Sequence, residues 1–177
     1  MKAIANSTPL IYLAKAGALH LLNHVYQEVI IPPAVYNEVV VKGLKKGYPD
    51  AALVKATVKK GYIRVEKAPS KNTEKILKQA PTLHKGEAEA LALALHHKPC
   101  HVLIDDRAAR LAARALGLEA HGTLYIVAAA AARKAITAEE AMKILDKLVA
   151  SGFRISIKLY LKTKEKLSKT KTKQKQH

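Results

Sequence analysis

The chain has 177 residues, 49% of them apolar, which suits one cytoplasmic domain with a full hydrophobic core. Its single cysteine, Cys100, excludes an internal disulfide framework and a cysteine-based zinc site, and its longest apolar stretch, residues 126–132, is too short to cross a membrane. The net charge of +17 favours an anionic partner, and nucleic acid is favoured over a membrane because no basic amphipathic helix with bulky apolar anchors accompanies the charge.

The first half of the chain alternates between short extended patterns and helical patterns. Ser7 or Thr8 can cap a helix with Pro9 in its first turn, and apolar residues continue at helical spacing to Leu22. Residues 66–82 are polar and are predicted to form a loop. The other predicted elements are strands at 2–5, 29–31 and 61–65 and helices at 35–40 and 49–60.

The second half continues this alternation and then becomes rich in lysine. Its predicted elements are helices at 85–97, 106–116, 124–133 and 138–150 and strands at 101–104, 118–121 and 153–157. This order predicts an α/β protein with a three-layer α/β/α fold and a mostly parallel central sheet. Residues 1–160 are assigned to the folded domain. Residues 161–177 are assigned to a Lys-rich basic tail, which is expected to be disordered unless a polyanion binds it.

Acidic residues are scarce in this chain, but four of the 14 lie within 20 residues of one another beside apolar segments. They are Glu87, Glu89, Asp105 and Asp106. A buried strand that ends in two carboxylates makes a poor solvated surface and a suitable holder for a divalent metal ion. In parallel α/β sheets, sites form where the carboxyl ends of strands meet the next helices. The side chains predicted at such junctions are Asn6, Asp105, Asp106 and Thr123.

A resemblance to a known family rests on six segments in the same order along the chain: 6–15, 29–39, 83–90, 103–110, 122–124 and 151–156. These segments resemble the PIN-domain superfamily of metal-dependent ribonucleases, which includes the toxins of many toxin–antitoxin pairs. The likeness is to a prokaryotic, largely archaeal branch. It covers residues 4–160, so the PIN-like domain is expected to be residues 1–160, and the basic tail lies outside it.

The resemblance implies cleavage of single-stranded RNA at one or two Mg²⁺ or Mn²⁺ ions, for which hard oxygen ligands are suited. By position, it implies the catalytic residues Glu38, Glu87, Asp105, Asp106 and Thr123. It implies the metal ligands Asn6, Glu38, Glu87 and Asp106. Asp106 is the better match to the acid after the third strand, Asp105 can share that role, and Glu89 is an alternative near Glu87.

One position departs from the family pattern, because Asn6 stands where most PIN nucleases have an Asp. An amide oxygen can coordinate a cation, but it brings no negative charge and cannot act as a base. Whether the chain is an enzyme therefore stays open at this point. The retained acids favour a metal-dependent endoribonuclease of toxin type. Asn6, the net charge and the basic tail favour a non-catalytic RNA-binding subunit of a ribonucleoprotein such as the archaeal ribosome.

Each candidate residue also has a purely structural interpretation. Glu87, near a helix start, can serve only to interact with the helix macrodipole. Histidines such as His96, His97 and His101 are expected to be surface or structural groups. The remaining structural interpretations are an exposed helix surface for Glu38 and Glu89 and a helix cap for Asp105, Asp106 and Thr123.

Basic residues in two stretches of the sequence are expected to contact RNA phosphates. They are Lys42, Lys45, Lys46, Lys59, Lys60, Arg64, Lys162, Lys164, Lys166, Lys169, Lys171, Lys173 and Lys175. The expected partner is RNA, with ribosomal RNA as one candidate, and no membrane is expected to bind. An antitoxin protein and a second copy of the chain are further candidate partners.

Overall fold

A computed structural model describes the backbone of residues 1–174 and the side chains of residues 1–167. Its centre is a five-stranded sheet in the order β3-β2-β1-β4-β5, and every described strand pair is parallel. The strands are β1 (Lys2–Ala5), β2 (Glu28–Ile31), β3 (Ile63–Val65), β4 (Cys100–Leu103) and β5 (Glu119–His121). The predicted α/β class and the predicted parallel sheet are confirmed.

Helices cover both faces of this sheet. They are α1 (Ser7–Lys15), α2 (Leu21–Val25), α3 (Pro33–Tyr36), a π-helical turn (Asn37–Lys42), α4 (Gly43–Lys45), α5 (Pro49–Lys59), α6 (Ser70–Gln79), α7 (Lys85–His96), α8 (Arg107–Ala115), α9 (Thr123–Ala132), α10 (Ala138–Ala150) and α11 (Ile157–Gln174). Side chains alternate along β1, so Ala3 and Ala5 face α1, α2, α9 and α10, whereas Ile4 faces α6, α7 and α8. The two apolar clusters confirm the three layers. Among the described helices, none is both long and apolar enough to span a bilayer.

The segment 66–82 differs from its prediction, because it contains helix α6 rather than a continuous loop. The segment is mostly polar, but Thr73 and Ile76, three residues apart, are at most 9% exposed, and Ile76 packs with residues of α7. A helix can therefore form here because tertiary packing compensates for a weak hydrophobic pattern.

The predicted strand at 153–157 is wrong. Residues 153–156 have no regular structure, and α11 begins at Ile157. The Ser156 hydroxyl accepts a hydrogen bond from the Leu159 backbone amide at 3.3 Å, and Leu167 is buried, so this segment is stabilised as a helix that packs on α10 and α9. The prediction of a disordered tail is therefore not met over residues 161–174, and residues 175–177 lie outside the described part. The predicted domain boundary at residue 160 falls within α11 and stays a prediction.

Candidate active site

Asn6 leaves the end of β1 and caps α1, a role that the sequence analysis assigned to Ser7 or Thr8. Its side-chain Oδ1 accepts a hydrogen bond from the Ser7 backbone amide at 2.8 Å, and the backbone amide of Asn6 donates to the Leu103 carbonyl at 3.0 Å. Asn6 is only 5% exposed. The side-chain amide of Asn6 is therefore held at the carboxyl edge of the sheet, between β1 and β4.

Glu38 lies in the π-helical turn that follows β2 and α3, a type of irregular turn that is frequent at functional sites. The Ser7 hydroxyl donates to Glu38 Oε2 at 2.8 Å, which connects this turn to the start of α1. A Cβ atom added at Gly86 would lie 3.7 Å from Glu38 Oε2 and 3.8 Å from Asn6 Oδ1. Both oxygens therefore lie beside the first turn of α7.

Glu87 follows Gly86 in that same turn and is 8% exposed. Its Oε2 accepts a hydrogen bond from the His84 backbone amide at 2.9 Å, which completes a capping box. Burial raises the pKa of the Glu87 carboxyl above its ordinary value, and the negative charges of Asp106 and Glu38 raise it further. Three carboxylates thus share one region of negative potential.

Asp106 caps α8, and its Oδ1 accepts a hydrogen bond from the Ala109 backbone amide at 2.8 Å. Its charge acts on Glu87 across the sheet edge. The fold therefore brings together four side chains from four separate parts of the sequence. They are Asn6, Glu38, Glu87 and Asp106, which we call the oxygen-donor group.

Asp105 is partly buried and has a different role from its neighbour. Its Oδ1 accepts from the Thr123 backbone amide at 2.8 Å, and its Oδ2 accepts from the Thr123 hydroxyl at 2.6 Å. Burial raises the pKa of the Asp105 carboxyl, while the Thr123 hydrogen bonds and the charge of Arg110 act against that shift. Gly122 is required beside this pair, because a Cβ there would lie 2.6 Å from Asp105 Oδ1. Asp105 and Thr123 therefore fasten the start of α9 to the end of β4.

Glu89, the alternative to Glu87, lies outside the oxygen-donor group. Its Oε2 accepts a hydrogen bond from the Ala34 backbone amide at 3.0 Å, and its Oε1 lies 3.8 Å from Lys85 Nζ. The carboxylate thus connects α7 to the first turn of α3, which is a structural role.

The donor chemistry of the group fits a small, hard divalent cation. Its members offer carboxylate and amide oxygens only, as Mg²⁺ and Mn²⁺ prefer. In the described part of the chain, Glu38, Glu87 and Asp106 each use one carboxylate oxygen for a hydrogen bond, so the second oxygen can face a cation. A bound cation would also offset the repulsion that raises the pKa of Glu87.

A cavity of about 620 Å³ opens beside Asp105 and Asp106. Its walls carry guanidinium groups and aromatic rings, which are groups that bind phosphates and stack on unpaired bases. These cavity residues are Arg107, Arg110, Arg154, Tyr12, Tyr125 and Phe153. These residues were not predicted as site residues, because they are scattered over 143 positions and no one segment holds more than two of them. The cleft is lined jointly by residues of α1, α8, α9 and the segment 153–159, so it exists only in the folded chain.

The basic residues expected to contact RNA differ in their surroundings. Arg64 is paired with Glu28, at 2.8 Å, and with Glu66, so much of its charge is compensated. Lys164 pairs with Asp146 at 3.2 Å. The exposed lysines are Lys42, Lys45, Lys46, Lys59, Lys60, Lys162 and Lys166. The side chains of Lys169, Lys171 and Lys173, and the whole of Lys175, lie outside the described part. RNA contact by these residues stays a prediction.

The comparison with known families gives one finding. A family model described as a PIN domain matches residues 2–169, which extends from β1 into α11. The match includes every element that holds the oxygen-donor group. No curated protein matches the chain.

Proposed function

The chain belongs to the PIN-domain family, which indicates a nuclease-type, RNA-acting protein, and from this premise we propose that it is a metal-dependent endoribonuclease of toxin type. The proposed substrate is single-stranded RNA, and the proposed cofactor is Mg²⁺ or Mn²⁺. The observation that carries this proposal is the convergence of three carboxylates and one amide at the carboxyl edge of the sheet.

Asn6, Glu38, Glu87 and Asp106 would hold the cation. When bound, such an ion lowers the pKa of water and neutralises charge on the phosphate. The chain's own groups orient the donors in advance, since the Ser7 hydroxyl holds Glu38 and the Ser7 backbone amide holds Asn6. Asn6 can donate an oxygen lone pair but cannot accept the proton of an attacking water, so any proton transfer is left to the carboxylates.

The neighbouring cleft supports RNA as the substrate. Arg107, Arg110 and Arg154 line it and would bind the phosphates on either side of the scissile bond. Tyr12 and Tyr125 also line it, and the exposed Tyr125 offers an aromatic surface to an unstacked base. Such stacking needs bases that are free of a duplex, which favours a single strand.

The decisive test is RNA cleavage by the full chain and by Asp106→Asn. Asparagine caps helices about as well as aspartate, so this change removes the charge and leaves the hydrogen bond to Ala109 available. We expect nicking of single-stranded RNA with Mg²⁺ or Mn²⁺, and a loss of at least about 100-fold in the variant, as for removal of one group that stabilises charge in the transition state.

The matched control is Asp146→Asn, which neutralises a half-exposed carboxylate on α10 that is bonded to Tyr160 and Lys164. This control should keep its cleavage activity. An absence of cleavage with both metals on varied RNAs, or full activity of Asp106→Asn, would overturn the proposal.

A second candidate function is favoured by Asn6 together with the net charge of +17. In this alternative the chain is a non-catalytic RNA-binding subunit of a ribonucleoprotein such as the archaeal ribosome. It would then sediment with ribosomal particles in the cytoplasm and leave them at high salt. A toxin would instead be isolated with an antitoxin protein or as a dimer of this chain. Sedimentation of the tagged chain from a cell extract separates these outcomes.

A further inference from the structure

A second group of metal-ligating side chains lies on the sheet, on the face covered by α2 and α9. His101 is in β4, and Glu119 and His121 are in β5. The parallel register pairs His101 with Glu119 and Leu103 with His121, so all three side chains point to one face. We call these three residues the imidazole cluster. Their nitrogen and oxygen donor atoms all lie within 4.8 Å of one another.

The spacing of these donors is close to that of ligands around one ion. His121 Nε2 lies 2.9 Å from Glu119 Oε1, and His101 Nε2 lies 3.4 Å from Glu119 Oε2. Ligands around a tetrahedral zinc ion, with bonds of about 2.0–2.1 Å, are about 3.3 Å apart. Two imidazoles with one carboxylate also form a donor set that favours Zn²⁺, Co²⁺ or Ni²⁺ over Mg²⁺.

Neighbouring side chains orient both rings. His101 Nδ1 lies 3.2 Å from the Tyr26 hydroxyl oxygen, so a proton on Nδ1 can be donated to Tyr26 and Nε2 is left free for a cation. The His121 ring stacks on Tyr125 with centroids 3.7 Å apart. The cluster is therefore positioned before any ion arrives.

The exposure of the three side chains also suits a metal. The Glu119 side chain is 66% exposed whereas the His101 and His121 side chains are 11% and 17% exposed. An ion can thus enter from the solvent side and complete its coordination with water.

We propose that His101, Glu119 and His121 form a binding site for a divalent transition-metal ion of the Zn²⁺ type, distinct from the oxygen-donor group. The site does not depend on the proposed nuclease function. His121 also lines the cleft beside Asp105 and Asp106, so an ion here would link β4 to β5 at one wall of that cleft.

Cobalt is a direct probe, because Co²⁺ bound to nitrogen ligands absorbs visible light more strongly than Co²⁺ in water. The metal-free full chain is titrated with Co²⁺ and then with Zn²⁺ or Mg²⁺. We expect one strongly absorbing Co²⁺ per chain, whose band is lost on adding Zn²⁺ and is unaffected by a large excess of Mg²⁺, which displaces only the weakly absorbing Co²⁺ at oxygen ligands. His121→Gln and Glu119→Gln should each weaken binding at least tenfold, and the exposed Glu119 makes the second variant safe for folding.

The control variant is His24→Gln, since His20 and His24 lie four residues apart with ring centroids 6.1 Å apart and are a competing histidine pair. His24→Gln and Asp106→Asn should both keep the Co²⁺ signal. The proposal is overturned by the absence of a Co²⁺ spectrum, by displacement with Mg²⁺, or by a loss of the signal in His24→Gln or Asp106→Asn.

Discussion

The two ends of β4 present different donor chemistry within the same sheet. Near its start, His101 joins Glu119 and His121, and Glu119 hydrogen-bonds or pairs with both rings. Beyond its end, Asp106 joins two other carboxylates, whose mutual repulsion helps to raise the pKa of Glu87. In the imidazole cluster, Glu119 thus interacts with both rings even without an ion, whereas the carboxylates of the oxygen-donor group repel one another until a cation compensates their charge.

Metal-ligating side chains that lie close together can therefore either destabilise the folded chain by repulsion or stabilise it by contact. In the oxygen-donor group, the fold maintains an unfavourable arrangement, as is common at catalytic sites. In the imidazole cluster, the side chains of His101, Glu119 and His121 also stabilise the fold through their contacts with one another. Removal of divalent ions should therefore lower the stability of the chain mainly through the oxygen-donor group.

The largest effect should follow Glu87→Gln. We expect RNA cleavage to fall at least about 100-fold, since an uncharged amide replaces a carboxylate of the group. In metal-free protein, however, the variant should be more stable than the parent at neutral pH. The pKa of Glu87 is raised in the folded state, so the carboxyl stabilises the fold below its ordinary value near 4.5 and this contribution is lost as pH rises through the folded pKa.

Urea unfolding at about pH 4 and about pH 8 measures the free energy of unfolding of both chains below and above the pH range in which Glu87 loses its proton. The gain in stability of Glu87→Gln should be larger at the higher pH. Glu74→Gln, an exposed carboxylate on α6, is the matched control and should change neither activity nor stability. Equal stability of Glu87→Gln and the parent at both pH values would contradict the claim that the oxygen-donor group destabilises the metal-free chain.

Asp105→Ala should have the next largest effect, on folding rather than on chemistry. The fully buried Thr123 would lose partners for both its backbone amide and its hydroxyl. An unsatisfied buried group costs about 1–3 kcal/mol, so we expect a loss of about 2 kcal/mol in the free energy of unfolding. Thermal unfolding should shift downward by about 2–4 °C for each kcal/mol in a chain of this size.

Asp105→Asn is the companion variant, because it keeps one acceptor for Thr123 and should be less destabilised than Asp105→Ala. If Asp105→Ala left the unfolding temperature unchanged, the fastening of α9 to β4 would not be a stabilising contact.

Asn6→Asp should sharpen the comparison by adding a fourth carboxylate to the oxygen-donor group alone. The extra charge should tighten Mg²⁺ binding at least about tenfold, since one negative charge attracts a divalent cation about 4 Å away by about 2 kcal/mol even at the dielectric constant of bulk water. Calorimetric titration with Mg²⁺ measures this change, and Co²⁺ binding at the imidazole cluster should stay the same. Asn23→Asp, at an exposed position, is the control. An unchanged Mg²⁺ affinity would argue against Asn6 as a ligand.

The smallest effect should come from shortening the basic tail. Thr163 and Leu167 are buried, so the chain is ended after Leu167 rather than before Lys162. This removes Lys169, Lys171, Lys173 and Lys175. The slope of the logarithm of RNA affinity against the logarithm of salt concentration should flatten by up to about 3, at about 0.7 for each phosphate of a single strand that the tail no longer neutralises. The same slope in both chains would mean that these lysines do not touch phosphates.

Much of the fold could be predicted from local patterns, and the exceptions have identifiable causes. The five core strands were expected because short extended runs, such as 2–5 and 101–104, alternate with helical patterns along the chain. Helix α6 was missed because only Thr73 and Ile76 form its buried stripe. The alternation at 153–157 resembles a strand, but a period of two over five residues is too short to exclude the start of a helix.

Some residues of the candidate site could likewise be predicted from the sequence, and others could not. Glu87 and the Asp105-Asp106 pair could be identified because acids beside apolar segments are a local signal. The different roles of Asp105 and Asp106 could not, since adjacent residues follow the same strand and only the position of Thr123 separates them. The imidazole cluster was also missed, and His101 was expected to be a surface or structural group.

The amino-acid sequence by itself determined most of the strands and helices, though not α6 or α11, and placed acidic side chains at strand ends, because these properties depend on neighbours a few positions apart. Only the tertiary structure decided which side chains meet. The parallel register sets His101 beside Glu119, the π-helical turn directs Glu38 toward Ser7, and the packing of 153–159 closes the cleft. Each of these contacts joins residues at least 18 positions apart, and their distances depend on how whole elements pack rather than on any local pattern.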